Sequence, residues 1–150
     1  MKISSIRELE KITEKIKKIL SPGDTIFLYG EIGVGKTTFS RLLINSYEKE
    51  NKIKKSEVLS PTFNIVFEYE IKEFKIQHFD LYRLKGSRDI KNIGLFENNE
   101  NILTIIEWPE LIKKKPLNRI DLFFKYKNDY KVRSLAIKTN GRLKIHEFKK

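Results

Sequence analysis

The chain has 150 residues, a length that suits one domain around one hydrophobic core. Charged residues make up 34% of the chain, and 31 Lys and Arg against 20 Asp and Glu give a formal net charge of +11. No apolar run approaches the roughly 20 residues that span a bilayer. The first 20 residues carry acidic side chains and lack the unbroken apolar segment of a signal peptide, so a cytoplasmic protein is expected. The absence of cysteine excludes disulfides and cysteine-based metal sites.

The first half of the chain predicts a helix, a strand and a second helix. Ser5-Ile6-Arg7-Glu8 is a capping-box pattern that opens the first helix, and its apolar face recurs at spacings of three and four. The residues of that face are Leu9, Ile12, Ile16 and Ile19. A turn at 21–24 precedes an apolar strand at 25–29, which we expect to be central, and residues 38–47 predict the next helix.

The second half predicts mainly strands. Residues 63–70 alternate between two faces, and residues 74–80 follow as their partner across a short turn. One or two helical turns are expected within 88–95, followed by an apolar strand at 102–107 and a turn at Pro109. Three late strands are predicted at 119–126, 130–138 and 142–148. Together these elements predict one α/β domain, residues 1–150, with three layers and a mixed, mainly parallel central sheet that ends in antiparallel strands.

The most informative motif is Gly30-Glu31-Ile32-Gly33-Val34-Gly35-Lys36-Thr37, which fits the phosphate-binding pattern G-x-x-x-x-G-K-[ST]. It lies between a predicted strand and a predicted helix, as a working P-loop requires. Glycines let successive backbone N–H groups point at phosphate oxygens, and the helix start adds unpaired N–H groups. Lys36 is predicted to reach the β- and γ-phosphates, and Thr37 to bind Mg²⁺. The motif favours a P-loop NTPase-like domain that binds the phosphates of a nucleotide through residues 30–38, ending at Thr38.

A second acidic group should help to hold Mg²⁺ from the end of a neighbouring strand. Asp80 and Glu107 each close a predicted strand, and the residues alone leave the choice between them open. Ser60-Pro61-Thr62 precedes a strand and offers hydroxyls to the metal or to an attacking water. His78 alternates with Asp80 along its strand and is interpreted as a hydrogen-bonded structural residue.

Residues 118–121, Asn-Arg-Ile-Asp, superficially match the guanine-reading motif N-K-x-D. They lead into a strand instead of following one, and no D-x-x-G segment follows the loop. GTP is therefore not the expected ligand.

Several blocks together resemble the bacterial TsaE (YjeE) family. They are the loop at 30–38, Ser60-Pro61-Thr62-Phe63, His78-Phe79-Asp80-Leu81-Tyr82-Arg83-Leu84, Ile93-Gly94-Leu95 and Ile106-Glu107-Trp108-Pro109, in the order and spacing of that family. The resemblance runs from about residue 20 to residue 109. The serine-proline-threonine and histidine-containing blocks are not general features of P-loop proteins, so the combination is much more specific than the loop alone.

The resemblance implies a small ATPase needed to form threonylcarbamoyladenosine beside the anticodon of tRNA, acting with a TsaB–TsaD complex. By the same resemblance Thr37 and Glu107 are metal ligands, Asp80 is needed for hydrolysis, and Thr62 and Trp108 lie near the γ-phosphate. Lys36 supplies positive charge for phosphoryl transfer. One departure is that Glu107 stands where P-loop enzymes usually have Asp, and Glu reaches further.

Two other functions stay open at this stage. One is a small-molecule or nucleoside kinase, although no arginine-rich lid is apparent, and the other is a non-catalytic module whose binding is gated by nucleotide. Arg41, Arg83 and Arg133 are candidates for an arginine finger by charge alone. A site without such a finger predicts slow hydrolysis by the isolated chain. Contact with tRNA, direct or indirect, is also left open, because the lysine-rich composition is equally compatible with a solvated surface.

Overall fold

The computed structural model describes residues 1–145 of the chain. Seven strands, three α-helices and a short 3₁₀ helix, Pro109–Leu111, make up the fold in these residues. The strands are β1 (Lys2–Ile3), β2 (Thr25–Tyr29), β3 (Val66–Glu70), β4 (Lys75–Asp80), β5 (Ile102–Glu107), β6 (Arg119–Lys127) and β7 (Val132–Asn140). The helices are α1 (Ile6–Lys17), α2 (Lys36–Glu50) and α3 (Ser87–Asn92).

All seven strands form one sheet in the order β1-β7-β6-β2-β5-β4-β3. The four central strands, β6, β2, β5 and β4, run parallel to one another, and the outer strands pair antiparallel. The predicted α/β fold with a mixed sheet and late antiparallel strands is therefore confirmed. Because β2, β4 and β5 are parallel, their carboxyl ends meet at one edge of the sheet, where ligands bind in open α/β folds.

Alternation along the strands divides the core between the two faces of the sheet. Phe27, Ile106 and Phe79 lie side by side on β2, β5 and β4, in a cluster that includes the partly buried Ile90 of α3. The residues that alternate with them belong to a larger cluster containing buried side chains of α1 and α2. Helices thus cover both faces, and α1 and α2 share the face on which Glu107 of β5 also lies.

Several predicted boundaries were wrong. The strand expected from residue 63 begins at Val66, since residues 62–64 form a turn and Ile65 has a left-handed backbone with φ of 69°. The strand expected at 130–138 is Val132–Asn140, because residues 128–130 all have positive φ and form the hairpin turn. The strand expected at 142–148 is not seen in 142–145, and residues 146–148 lie outside the described part of the chain.

The two-residue strand β1 was not predicted. Its pairing with β7 joins residues about 130 positions apart, and two residues are too few to show a period. Within residues 1–145, none of the helices combines the length and the apolar character that crossing a membrane requires.

Candidate functional site

The glycine-rich loop, residues 30–35, connects the end of β2 to the start of α2. Gly30 and Gly35 have φ values of 144° and 124°, a region that side-chain-bearing residues rarely adopt. A Cβ at Gly30 would lie 2.7 Å from the backbone oxygen of Phe124, so the β6 backbone leaves room for glycine alone. Gly35 is the N-cap of α2 and offers no side chain to the first helical N–H groups. The N–H groups at the start of α2 therefore lack a side-chain partner and are available to bind an anion.

Lys36 folds back over its own loop. Its side chain is buried, and its ammonium donates hydrogen bonds to the carbonyl oxygens of Gly30 and Glu31, the latter at 2.9 Å. The ammonium also lies 4.1 Å from the centre of the Trp108 ring, a cation–π contact. Burial lowers the pKa of Lys36 from its ordinary value, and the carboxylates of Glu107 and Asp80 oppose that change. The ammonium is therefore poorly solvated and faces negative groups.

Glu107, at the end of β5, meets the first turn of α2. The Thr37 hydroxyl lies 2.9 Å from one Glu107 carboxylate oxygen and 3.1 Å from the other. His78 of β4 approaches the same carboxylate, with 2.6 Å between its Nε2 and Glu107 Oε2. Glu107 is 2% exposed and His78 is fully buried. A buried carboxylate is thus held by a hydroxyl and an imidazole.

Asp80 lies beside Glu107 in the register of β4 and β5, yet its partners are different. Its Oδ2 accepts hydrogen bonds from Ser60 at 2.6 Å and Thr62 at 3.0 Å, and its Oδ1 accepts one from the Tyr82 backbone N–H at 2.9 Å. The Ser60 and Thr62 hydroxyls are also 3.2 Å apart. The segment 60–62 therefore forms a hydroxyl-bearing wall around a buried acid.

These groups line one cavity of about 320 Å³, called here the loop cavity. Its walls contain most of the residues that the sequence predicts for the site, namely Ile32, Gly33, Gly35, Lys36, Thr37, Thr38, Thr62, Asp80, Glu107 and Trp108. The remaining predicted residues are placed otherwise: Gly30 and Glu31 contact the Lys36 ammonium through their carbonyls, and Val34 is buried in the core. Their contact with a ligand stays a prediction.

A second cavity of about 330 Å³, called here the side cavity, adjoins the loop cavity through Gly33, Gly35 and Thr38. Its other walls come from the start of α1, from β1, and from β6 and β7. Arg133 of β7 lines it, and the Arg133 Nε is buried without a hydrogen-bond partner among residues 1–145. The Tyr126 hydroxyl donates to the Ile32 carbonyl at 3.1 Å and so ties the β6–β7 hairpin to the loop.

Sequence reasoning missed Tyr126, because its contact with Ile32 joins segments that are far apart in the chain. It also missed the backbone N–H of Tyr82, which makes a local turn contact with Asp80 two positions earlier. The three arginines proposed by charge are separated by the fold. Arg83 lies over the Phe63 ring, Arg41 lines a groove between α1 and α2, and Arg133 alone borders the glycine-rich loop.

The residues present suit a magnesium ion that is shared with a phosphate ligand. Thr37 and Glu107 supply oxygen donors, and Mg²⁺ prefers oxygen and usually keeps waters or substrate phosphates among its ligands. In residues 1–145 no group of three or more His, Cys, Asp or Glu side chains is placed to hold a metal ion by itself. A metal ion held by Thr37 and Glu107 would therefore need further oxygen ligands from water or from a bound phosphate.

Comparison with known proteins identifies the family of the chain. The family model described as "Threonylcarbamoyl adenosine biosynthesis protein TsaE" matches residues 3–135. This chain belongs to the TsaE family. Among its relatives, the tRNA threonylcarbamoyladenosine biosynthesis protein TsaE of Rickettsia bellii is 39% identical over 74% of this chain and 74% of the relative. The TsaE of Rickettsia conorii is 38% identical over 74% of this chain, and the match spans only 61% of that relative's length.

Among solved structures, the crystal structure of Bacillus subtilis YdiB superposes with a TM-score of 0.68. The superposition covers 94% of this chain and 84% of that chain at 23% identity. This likeness shows a shared fold. The TsaE resemblance and the α/β fold class predicted from the sequence are both confirmed.

Proposed function

We propose that the chain binds and hydrolyses ATP with Mg²⁺ as a component of tRNA threonylcarbamoyladenosine biosynthesis. The single observation that carries this proposal is the meeting of Thr37 and Glu107, 2.9 Å apart, at the mouth of the glycine-rich loop. A P-loop hydroxyl beside an acid from a distant strand is the pair that holds Mg²⁺ in nucleotide hydrolases. Membership of the TsaE family supports the biosynthetic role.

The two cavities suggest how the nucleotide is seated. The triphosphate is assigned to the loop cavity, where the N–H groups at the start of α2 and the Lys36 ammonium face it. To reach it, the ammonium exchanges the carbonyls of Gly30 and Glu31 for phosphate oxygens, which are stronger partners. The adenosine is assigned to the side cavity, which is continuous with the loop and offers apolar walls together with the Arg133 guanidinium.

Each side chain then has a role in hydrolysis. Thr37 and Glu107 would hold Mg²⁺, which neutralises charge on the β- and γ-phosphates when bound. We assign to Asp80 the role of orienting a water and accepting its proton, because it is buried in the wall of the loop cavity and anchored by Thr62 and by the Tyr82 N–H. The Thr62 hydroxyl donates to Asp80 and keeps its lone pairs free to receive a hydrogen bond from that water.

The site also supports a need for a partner. Among the described residues that line the loop cavity, Lys36 is the one cation, so the site lacks an arginine of its own for the charge that develops in phosphoryl transfer. Ile32, Phe63 and Tyr82 expose apolar surface around this region, at 67%, 84% and 52%. We therefore propose that a TsaB–TsaD complex docks there and accelerates an otherwise slow hydrolysis. Direct contact of the chain with tRNA is not needed for this role.

The test is a phosphate-release assay with the chain alone, with TsaB–TsaD, and with Glu107→Gln in place of the native chain. We expect slow release alone, a large acceleration with TsaB–TsaD, and loss of that acceleration in the variant. Threonylcarbamoyladenosine in tRNA is measured in the same reactions. Equal rates with and without TsaB–TsaD would contradict the partner role. Full tRNA modification by a variant that binds ATP without hydrolysing it would favour the gated binding module instead.

A further inference from the structure

His78 is a buried imidazole with one hydrogen-bond partner among residues 1–145. It lies on β4 opposite Ile105 of β5, it is fully buried, and its Nε2 is 2.6 Å from Glu107 Oε2. Its Nδ1 has no hydrogen-bond partner in the described part of the chain. Since a buried polar ring costs free energy unless it is hydrogen-bonded, the contact with Glu107 is the interaction that compensates for His78 in this position.

The unpartnered Nδ1 indicates which nitrogen carries the proton, because an N–H at Nδ1 would be buried without an acceptor among the described residues. An ionised carboxylate only accepts hydrogen bonds, so the proton of this contact belongs to His78 Nε2. The bare Nδ1 agrees with that tautomer, because a neutral imidazole protonated at Nε2 has only a lone pair at Nδ1. His78 therefore acts as a donor to Glu107, and within residues 1–145 it has no second hydrogen-bond partner that would orient it towards another task.

Glu107 needs such a donor more than an aspartate would. Its longer side chain has an additional rotatable bond, and at 2% exposure it has little water to orient it. The Thr37 hydroxyl also donates to the carboxylate, but as a proposed metal ligand it would turn its lone pairs to the same cation, so its own direction would depend on that cation. His78 then remains as the donor that keeps one carboxylate oxygen fixed.

We propose that His78 is a positioning residue that, through its Nε2–H, orients the Glu107 carboxylate for a divalent cation. This inference rests on the proposed function, since it assigns the orientation of that same cation site. Hydrogen-bond partners behind metal ligands fix the direction of the ligand, and their removal typically weakens metal affinity about 10- to 100-fold. The effect belongs to the cation and leaves the contacts of the phosphates with the loop intact.

The test compares His78→Gln with His78→Asn. The Gln side-chain amide nitrogen reaches about as far as the imidazole Nε2, whereas the Asn amide stops near Nδ1, so the pair differs in reach while both remain polar. Trp108 is the single tryptophan of the chain and lines the loop cavity, so its fluorescence reports ADP binding. ADP is titrated with EDTA, and Mg²⁺ is titrated at a fixed ADP concentration.

We expect His78→Gln to keep the native Mg²⁺ dependence and His78→Asn to need about tenfold more Mg²⁺, with metal-free ADP affinity unchanged in both. Native Mg²⁺ dependence in His78→Asn would overturn the proposal, and so would an equal loss of metal-free binding in both variants, which indicates a structural role. If the native chain itself does not bind Mg²⁺–ADP, the proposed function fails, and that outcome is distinct from the first two.

A second measurement needs no variant and so covers the case in which His78→Asn does not fold. Nitrogen-15 NMR of the native chain should show His78 as the Nε2–H tautomer, and its Nε2 proton should shift with Mg²⁺–ADP but not with ADP alone. An Nδ1–H tautomer, or the same shift with and without Mg²⁺, would refute the assignment.

Discussion

Replacing Asp80 with Asn separates the charge of this residue from its structural contacts. Asp80 is 4% exposed and accepts three hydrogen bonds, from the hydroxyls of Ser60 and Thr62 and from the Tyr82 N–H. An Asn oxygen can still accept from Tyr82, and its NH₂ can donate to the two hydroxyls, which rotate to accept. All three hydrogen bonds are thereby retained, but in the two that involve Ser60 and Thr62 the donor and the acceptor change places.

The retained contacts predict a small loss of stability and a large loss of rate. We expect Asp80→Asn to lower the free energy of unfolding by about 1 kcal/mol, because charge-assisted bonds become neutral ones. Asp80→Ala strips the acceptor from the Tyr82 N–H and from the hydroxyls of Ser60 and Thr62, and should cost about 1–3 kcal/mol. Loss of a group that accepts a proton in the transition state typically slows a reaction about 10²- to 10⁴-fold, and both variants should show it.

The assay is phosphate release with TsaB–TsaD present, alongside urea unfolding and Trp108 fluorescence for ATP affinity. Glu73→Gln is the matched control, since it removes one negative charge from an exposed turn at the opposite end of β4 and should leave all three quantities unchanged. Hydrolysis by Asp80→Asn at the native rate would refute the role given to the carboxylate. A loss of ATP affinity equal to the loss of rate would show that Asp80 acts in binding instead.

Three further predictions follow from single contacts. Gly30→Ala should lower stability by about 2 kcal/mol or more in urea unfolding, because its φ is positive and its Cβ would meet backbone, whereas Gly86→Ala, which meets nothing within 4 Å, should not. Lys36→Met removes an ammonium whose pKa is lowered by burial, so that at neutral pH the charged form destabilises the folded state. This destabilisation is relieved as the pH rises towards the ordinary lysine pKa, because the folded chain releases the proton first. The free energy of unfolding of the native chain, relative to that of Lys36→Met, should therefore rise between pH 7 and pH 10. Arg133→Gln should weaken ADP binding about fivefold and leave tripolyphosphate binding unchanged, as measured by competition. The reason is that Arg133 lines the side cavity, to which the adenosine is assigned, and does not line the loop cavity, to which the phosphates are assigned.

The sequence allowed the central elements to be predicted because each has a strong local pattern. The apolar runs of β2 and β5 and the spacing in α1 mark buried elements without any tertiary knowledge. The boundaries of β3 and β7 could not be predicted in the same way. Residues 63–65 alternate like a strand, but Ile65 adopts positive φ and donates its N–H to the carbonyl of Pro61, a turn contact with no signal in the apolar pattern.

The sequence predicted which residues line the loop cavity, but it did not predict which of them are hydrogen-bonded to each other. The loop motif and the strand ends identified Lys36, Asp80 and Glu107 because those positions follow from the order of elements in a parallel sheet. The sequence left open which acid faces Thr37, since both acids close neighbouring strands. Strand register and the length of each side chain determine the answer: Glu107 contacts Thr37, and Asp80 contacts segment 60–62. The contact of His78 with Glu107 needed the same information.

The balance of charge in the loop cavity constrains the order in which ligands bind. Asp80 and Glu107 are register partners on adjacent strands, which lie about 4.8 Å apart, and both are almost fully buried. Among the described residues that line this cavity, Lys36 is the one cation, and its ammonium would have to balance these two carboxylates and the charge of the proposed triphosphate. Since like charges in a buried site repel strongly, a metal-free nucleotide meets an unfavourable field there. A divalent cation reverses that balance, so the nucleotide should enter together with its Mg²⁺, and the EDTA arm of the Trp108 titration should show the weaker binding.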